Sequence, residues 1–387
     1  MRHALRLSAL LLAASPAFAD TPALTAVAPV VAPVAAPLRL PDMPLHDPFI
    51  LAHAPSRTYY LYTSNRPNVS GVRGVGTMAY KSKDLLHWEK PKPVFLVPET
   101  SFARQGGWAP EVHEYQGRYY LFTTLHNDEK PLAKPPEVPF ATHVRGTIVA
   151  VADTPDGPFV MLDEKAPVAP ADFMTLDGTL FLDRAGKPWM VYAHEWVQKV
   201  DGTIEAVPLK PDLSGADGAP IHLFKASDAP WINAALKADA RPLHYVTDGP
   251  QFHRSRDGHL LMLWSSYENG SYVQTHARSR GGDLAGPWEQ LAPLVKGDSG
   301  HGMLFTTFEG RLMMVLHRPF GRNARGKLYE IADRGDRLEI LRQRTDLDGD
   351  SPAASAAALP DAAASLTAST ALDPLARPRP LAGPRHR

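Results

Sequence analysis

Five polar residues stand just ahead of five short apolar runs along the chain: Asp47, Glu111, Asp177, Asp248 and His301. Their settings are alike, in His46-Asp47-Pro48, Ala109-Pro110-Glu111, Leu176-Asp177-Gly178, Thr247-Asp248-Gly249-Pro250 and Gly300-His301-Gly302. A single such aspartate could be only a turn former, since Asp caps turns well. Five at corresponding places ask for more, because gathered like charges cost free energy and are kept where chemistry or a cation uses them. Carboxyls held together can divide acid and base work. One protonates a leaving oxygen, another activates water or attacks carbon, and a third can raise the donor's pKa by repulsion. Glu195, in His194-Glu195-Trp196, is a further candidate donor. Trp108, Trp196, Trp264 and Tyr267 offer faces on which a sugar could stack, and His46, Glu111 and His194 offer polar contacts to it. Cysteine is absent, so thiolate catalysis, disulfides and thiolate–metal sites are excluded. With no Ser-His-Asp order and no Gly-rich phosphate loop, the residues point to glycoside hydrolysis.

Residues so far apart in sequence need a scaffold that converges them, and the sequence repeats in a way that supplies one. Tyr59–Tyr62, Tyr119–Phe122, Trp189–Tyr192, Leu261–Trp264 and Leu312–Leu316 are aromatic or β-prone runs too short for helices. Most follow turn signals such as Gln116-Gly117, Asp257-Gly258 and Glu309-Gly310. A strand precedes each turn and another follows each run. The unit of three or four antiparallel strands recurs every ~50–70 residues, the mark of a propeller blade. The expected fold is all-β, a five-bladed β-propeller over residues 42–345 with each blade a three- to four-stranded antiparallel sheet. Its innermost strands would begin on one rim, and the five polar residues would meet there.

The flanks differ in kind. Residues 1–19 read as an export signal, with Arg2 and Arg6 ahead of an apolar core and an Ala17-Phe18-Ala19 cleavage site. Residues 20–41 read as an Ala/Val/Pro linker, and 346–387 as an Ala/Pro-rich disordered tail. Asp346-Leu347-Asp348-Gly349-Asp350 lacks the downstream Glu of an EF-hand and reads as a surface turn. Lys+Arg and Asp+Glu are both 41, so no basic arm invites nucleic acid or an anionic membrane. An exported protein, periplasmic or secreted, is expected, without membrane insertion after signal cleavage and as a monomer acting on an oligosaccharide or polysaccharide.

The His46-Asp47-Pro48-Phe49-Ile50, Trp108-Ala109-Pro110-Glu111-Val112, Leu176-Asp177-Gly178-Thr179-Leu180-Phe181 and Asp248-Gly249-Pro250 motifs, in that order, resemble glycoside hydrolase family 43 across all five blades. The resemblance implies inverting hydrolysis of arabinan, xylan or related glycosides, most directly as an α-L-arabinofuranosidase or β-xylosidase. It makes Asp47 the general base and Asp177 the acid that tunes and orients the proton donor. The family's donor is usually Glu, and here that position is Asp248, whose carboxyl sits about 1.5 Å further back. Carboxyl separations of about 6.5–9.5 Å suit inversion, so Asp248 and Glu195 both stay open as donor. His301 matches a central histidine that helps hold calcium or another cation on the propeller axis; no organic cofactor is implied. An exo-β-galactofuranosidase or a non-catalytic glycan-binding propeller are the alternatives. A fructan hydrolase would carry a W-M-N-D-P-N-type motif, which is absent.

Overall fold

The computed structural model describes residues 36–136, 138, 140–232 and 245–350. The expected export signal, most of the linker and nearly all of the tail lie outside the described residues. The described chain folds into five four-stranded antiparallel sheets, each built from four strands consecutive in sequence. Blade 1 comprises β1 (Phe49–His53), β2 (Thr58–Ser64), β3 (Gly76–Ser82) and β4 (Lys92–Leu96). Blade 2 comprises β5 (Gln105–Tyr115), β6 (Arg118–Pro131), β7 (His143–Ala152) and β8 (Val160–Met161). Blade 3 comprises β9 (Thr175–Leu182), β10 (Pro188–His194), β11 (Thr203–Pro208) and β12 (Ile221–Lys225). Blade 4 comprises β13 (Asp248–Arg254), β14 (Leu260–Glu268), β15 (Ser271–Ser279) and β16 (Trp288–Gln290). Blade 5 comprises β17 (Gly300–Thr306), β18 (Leu312–Arg318), β19 (Arg325–Asp333) and β20 (Leu338–Gln343).

The innermost strands touch in turn, β1 with β5, β5 with β9, β9 with β13, β13 with β17 and β17 with β1. The five-bladed ring is thus closed, as the repeat implied. Middle strands are buried on both faces. In β14, Leu260, Met262 and Trp264 pack toward blade 3, while Leu261 and Leu263 pack toward blade 5. Alternation in such a strand separates two apolar interfaces rather than core from solvent.

Because among the described residues no blade borrows a strand from the far end of the chain, something else must hold blade 1 to blade 5. The segment ahead of β1 does so. Leu38 pairs with Trp88 of blade 1 through both backbone hydrogen bonds, 2.8 and 2.9 Å. Leu40, Met43 and Leu45 are fully buried, and Leu40 and Leu45 fill the space left by Gly326 on β19. The Leu45 amide donates to Ala324 O at 3.1 Å, and Arg325 Nε donates to Pro41 O at 2.8 Å. Residues 38–41, expected in the linker, therefore belong to the fold. So does the acidic run after β20. Asp348 is fully buried and accepts from Leu328 N and Gln343 Nε2, while Asp350 pairs with Arg318 and Lys327. Protein donors already satisfy these carboxylates, so the run is a structural anchor rather than an exposed turn.

This clasp predicts that Leu40→Ala lowers the free energy of unfolding by about 2–5 kcal/mol, the usual cost of emptying a packed leucine site. Leu341→Ala, at a side chain 51% exposed, should stay within about 0.5 kcal/mol of the parent. Urea denaturation of the two variants checks the contrast.

Candidate active site

Each innermost strand begins with the same backbone device. In β5, β9, β13 and β17 the register slips by one residue, between Trp108 and Glu111, Leu176 and Thr179, Asp248 and Gln251, and Gly300 and Met303. Each slip is a β-bulge whose second residue lies in the left-handed region: Ala109 (φ 43°), Asp177 (φ 55°), Gly249 (φ 52°) and His301 (φ 53°). Asp47 (φ 46°) repeats the conformation ahead of β1. The third residue is Pro or Gly for a reason. Pro48, Pro110 and Pro250 have no amide to satisfy. Gly178 and Gly302 donate theirs to Thr147 Oγ1 and Gln274 Oε1 of the preceding blade, approaching so closely that a Cβ would collide at 2.7–2.8 Å.

The bulge's own amide also needs an acceptor. Asp177 N donates to Thr124 Oγ1 at 3.0 Å, His301 N to Ser265 Oγ at 2.8 Å and Asp47 N to His317 Nδ1 at 3.2 Å. Each acceptor stands on the second strand of the preceding blade, opposite the bulge's first residue in that blade. In blade 3 that place is Ala193, which has nothing to offer. The Gly249 amide therefore turns to Asp177 Oδ2, 3.0 Å away.

This register corrects the expectation of one polar residue per blade at a single level. Asp47, Asp177 and His301 share the left-handed place. Asp248 stands one residue earlier, and Glu111 two residues later. Glu111 is consequently buried below the mouth, accepting from Thr179 Oγ1 at 2.6 Å and pairing with His113 Nε2 at 2.9 Å. It does not face a ligand at the rim.

Asp47, Asp177 and Asp248 do meet, together with His301. Asp47 Oδ2 lies 2.9 Å from His46 Nδ1, and its Oδ1 lies 3.2 Å from His301 Nδ1 and 3.3 Å from His317 Nδ1. Burial alone would raise the Asp47 pKa, but the charges of His301 and His46 and the hydrogen bond from His46 pull it well below the ordinary aspartate range. His46 in turn is raised: burial works against its cation, and Asp47 outweighs burial. Asp177 goes the other way. Burial, then the charges of Asp248 and Asp47, push it well above the usual carboxylate range. Asp248 is pushed up to about 7 by burial and by the charge of Glu195, against the opposing hydrogen bond from Tyr272 Oη at 3.0 Å. One mouth thus holds an ionised carboxylate beside two that keep their protons.

Glu195 is close enough to act on Asp248 but is engaged elsewhere. It is buried and forms an ion pair with Arg145, whose guanidinium also lies 4.8 Å over the Trp108 ring. Trp108 is half-buried at the rim. Trp196 is almost buried, in a small cluster with Met174, Val197 and Val246. His194 spends both ring nitrogens, Nδ1 on Glu205 (3.1 Å) and Nε2 on Gln198 (2.7 Å), so it does not serve a ligand. Trp264 offers no stacking face to a sugar. It is fully buried between blades 3 and 4, against Phe224 at 5.3 Å and Trp231 at 5.9 Å.

The sequence reading missed His317, Tyr272, Phe320 and Arg145. His46 stacks on His317 at 4.1 Å, and Tyr272 and Phe320 pack beside them at 5.7 Å from His317, forming a wall next to Asp47. His46 Nε2 and His317 Nε2 are buried without a protein partner, as is Glu111 Oε1. The one available signal was that Leu316-His317-Arg318 ends the second strand of its blade, as Ala193-His194-Glu195 does in blade 3.

His301 stands at the mouth, where burial holds its imidazole below the usual histidine range against the charges of Asp47 and Glu111, and Glu111 below it carries an unpartnered buried oxygen.

Residues 42–339 match the family described as glycosyl hydrolases family 43. A solved endo-arabinase from Bacteroides thetaiotaomicron VPI-5482 is 36% identical, covering 77% of this chain and 98% of that one with a TM-score of 0.67. An extracellular endo-α-(1→5)-L-arabinanase 1 of Bacillus subtilis (strain 168) is 21% identical over 198 residues, 47% of this chain. That match spans 56% of the relative's length. An α-L-arabinofuranosidase from Lactobacillus brevis shares the fold at 17% identity and a TM-score of 0.56, over 74% of this chain and 90% of that one. With the motifs, the five blades and a profile match over most of its length in agreement, this chain belongs to glycosyl hydrolases family 43.

Proposed function

We propose that the protein hydrolyses O-glycosidic bonds of an arabinose-containing glycan by a single displacement with inversion, and that α-1,5-linked L-arabinan is the substrate to test first. The observation that carries the reaction is the split in protonation: Asp47 ionised among imidazoles, and Asp248 holding a proton to about pH 7. Asp47 takes a proton from water as the water oxygen attacks the anomeric carbon. Asp248 gives its proton to the departing glycosidic oxygen as the C–O bond breaks. The arabinan preference rests on the likeness to the Bacteroides endo-arabinase over nearly all of that chain.

In this reading Glu195 is not the donor. Its charge, held in place by Arg145, keeps the proton on Asp248. Asp177 acts on the donor through the backbone, because its carboxyl holds the Gly249 amide next to Asp248. Trp108 supplies a stacking face, and the buried, unpartnered Nε2 atoms of His46 and His317 are the nitrogens left to meet sugar hydroxyls. A cation on the axis, held by His301 and Glu111 with water, would supply positive charge to the mouth.

Asp248→Asn should cost about 10²–10⁴-fold on arabino-oligosaccharides, whose leaving group needs a proton, and far less on nitrophenyl arabinofuranoside. On the acid side of the pH profile, where Asp248 keeps its proton without the Glu195 charge, Glu195→Gln should not widen the gap between the two substrates; a selective loss on arabino-oligosaccharides there would make Glu195 the donor. Asp47→Asn should abolish turnover of both substrates. If the parent protein and Asp47→Asn were equally inert on arabinans, xylans and galactofuranosides, the hydrolase reading would fail.

The pH profile carries a sign. The donor must be protonated, so kcat/KM should fall as pH rises through about 7. The Tyr272 hydroxyl stabilises the Asp248 carboxylate, so Tyr272→Phe should move that limb to higher pH. Glu195→Gln removes a repelling charge and should move it to lower pH. Shifts in the reverse directions would contradict the assignment.

A further inference from the structure

The hairpin of β6 and β7 gathers a second set of side chains, outside the reacting carboxylates. His126 and Asp128 are two apart on β6, and His143 and Arg145 are two apart on β7, with His126 opposite Arg145. The ladder slips between Asn127 and Pro131, yet Asp128 and His143 still meet beside the His126–Arg145 pair. His126 Nδ1 lies 2.8 Å from Asp128 Oδ1, and His143 Nε2 lies 3.2 Å from the same oxygen. All three atoms fall within 4.8 Å of one another. Both histidines are buried, while Asp128 is 43% exposed and leaves a path from solvent.

We propose that His126, Asp128 and His143 form a binding site for a divalent transition ion, best matched by zinc, on the arm that carries Arg145. Two imidazoles and a carboxylate are the donors such an ion prefers, whereas calcium asks for six to eight oxygens that this site lacks. Tetrahedral bonds of about 2.0–2.1 Å put neighbouring donors about 3.3 Å apart. The 2.8 and 3.2 Å separations approach that value from below, and the two imidazole nitrogens lie within 4.8 Å of each other. The donors are also braced. Gln105 holds Asp128 through its amide (2.9 Å) and its second oxygen (3.3 Å), and Trp108 packs on His126 at 4.5 Å. A water on the exposed side would complete the fourth position.

The local charge favours a dication: Asp128 and Glu195 carry two negative charges against one on Arg145. Binding has one identifiable cost. Arg145 Nη2 lies 2.9 Å from His143 Nε2, and the ion would take that lone pair, leaving Arg145 to Glu195 alone. Zinc occupancy would therefore be felt at the carboxylate that faces Asp248.

The test is calorimetric titration of ZnCl2, and separately CaCl2, into the EDTA-stripped, dialysed full chain. One equivalent of zinc should bind, and Asp128→Asn and His143→Ala should each weaken it by at least about tenfold. His87→Ala, at an exposed histidine–aspartate pair, should leave it unchanged. Asp128→Asn is isosteric at a half-exposed position, and an unchanged metal-free melting curve certifies its fold. No zinc binding, binding untouched by Asp128→Asn, or zinc binding lost instead in Asp47→Asn would each overturn the site.

Discussion

In four of the five blades a left-handed residue at the start of the innermost strand points a backbone amide into the preceding blade, and that amide must find an acceptor. Thr124, Ser265 and His317 meet the need in three blades. At Ala193 the acceptor is missing, and the Asp177 carboxyl takes the Gly249 amide instead. A buried amide without a partner would cost about 1–3 kcal/mol, so this is a strong constraint. Through it a rule of backbone satisfaction, repeated around the ring, ties the carboxyl of one acid in the mouth to the backbone next to another. The same bulges turn Asp47, Asp177 and His301 inward, although they come from three separate blades.

Once gathered, the acids cannot all ionise. Burial and mutual repulsion drive Asp177 and Asp248 toward their protonated forms. Asp47 escapes because the charges of His301 and His46 outweigh its burial and His46 bonds it directly. The asymmetry therefore comes from neighbours rather than from the carboxyls, which are chemically identical. Glu195 adds charge from outside the ring of strand starts. Arg145 holds it there, and Arg145 is itself braced by Trp108 and His143 on the long blade 2 hairpin. Such a chain lets a structural arm influence the proton inventory of the mouth.

Much of this was legible in the residues. The blade period, the five sheets and the convergence of Asp47, Asp177, Asp248 and His301 follow from short apolar runs and the polar residue ahead of each. What stayed hidden depended on register and on the neighbouring blade. Glu111 looks like Asp177 in sequence, but it follows the bulge by two residues and drops into the channel wall. Trp264 looks like a stacking platform, but both faces of a middle strand are buried, so an aromatic there fills an interface between blades. His317 acts across a blade boundary and Tyr272 from two strands away in its own blade, and neither carries a local motif. Leu40 lies in a stretch poor in secondary-structure signals, and only the need to close the ring explains its burial.

The central claim is that Asp47 and Asp248 differ in protonation at neutral pH because of where the fold puts them. Carbon-13 NMR of the protein labelled at aspartate Cγ tests this directly, with the two resonances assigned from Asp47→Asn and Asp248→Asn. The account predicts that the Asp248 signal titrates with a midpoint near pH 7, while the Asp47 signal stays that of a carboxylate below the ordinary aspartate range. An Asp248 signal already ionised at pH 5, or an Asp47 signal that gains its proton near neutrality, would contradict it.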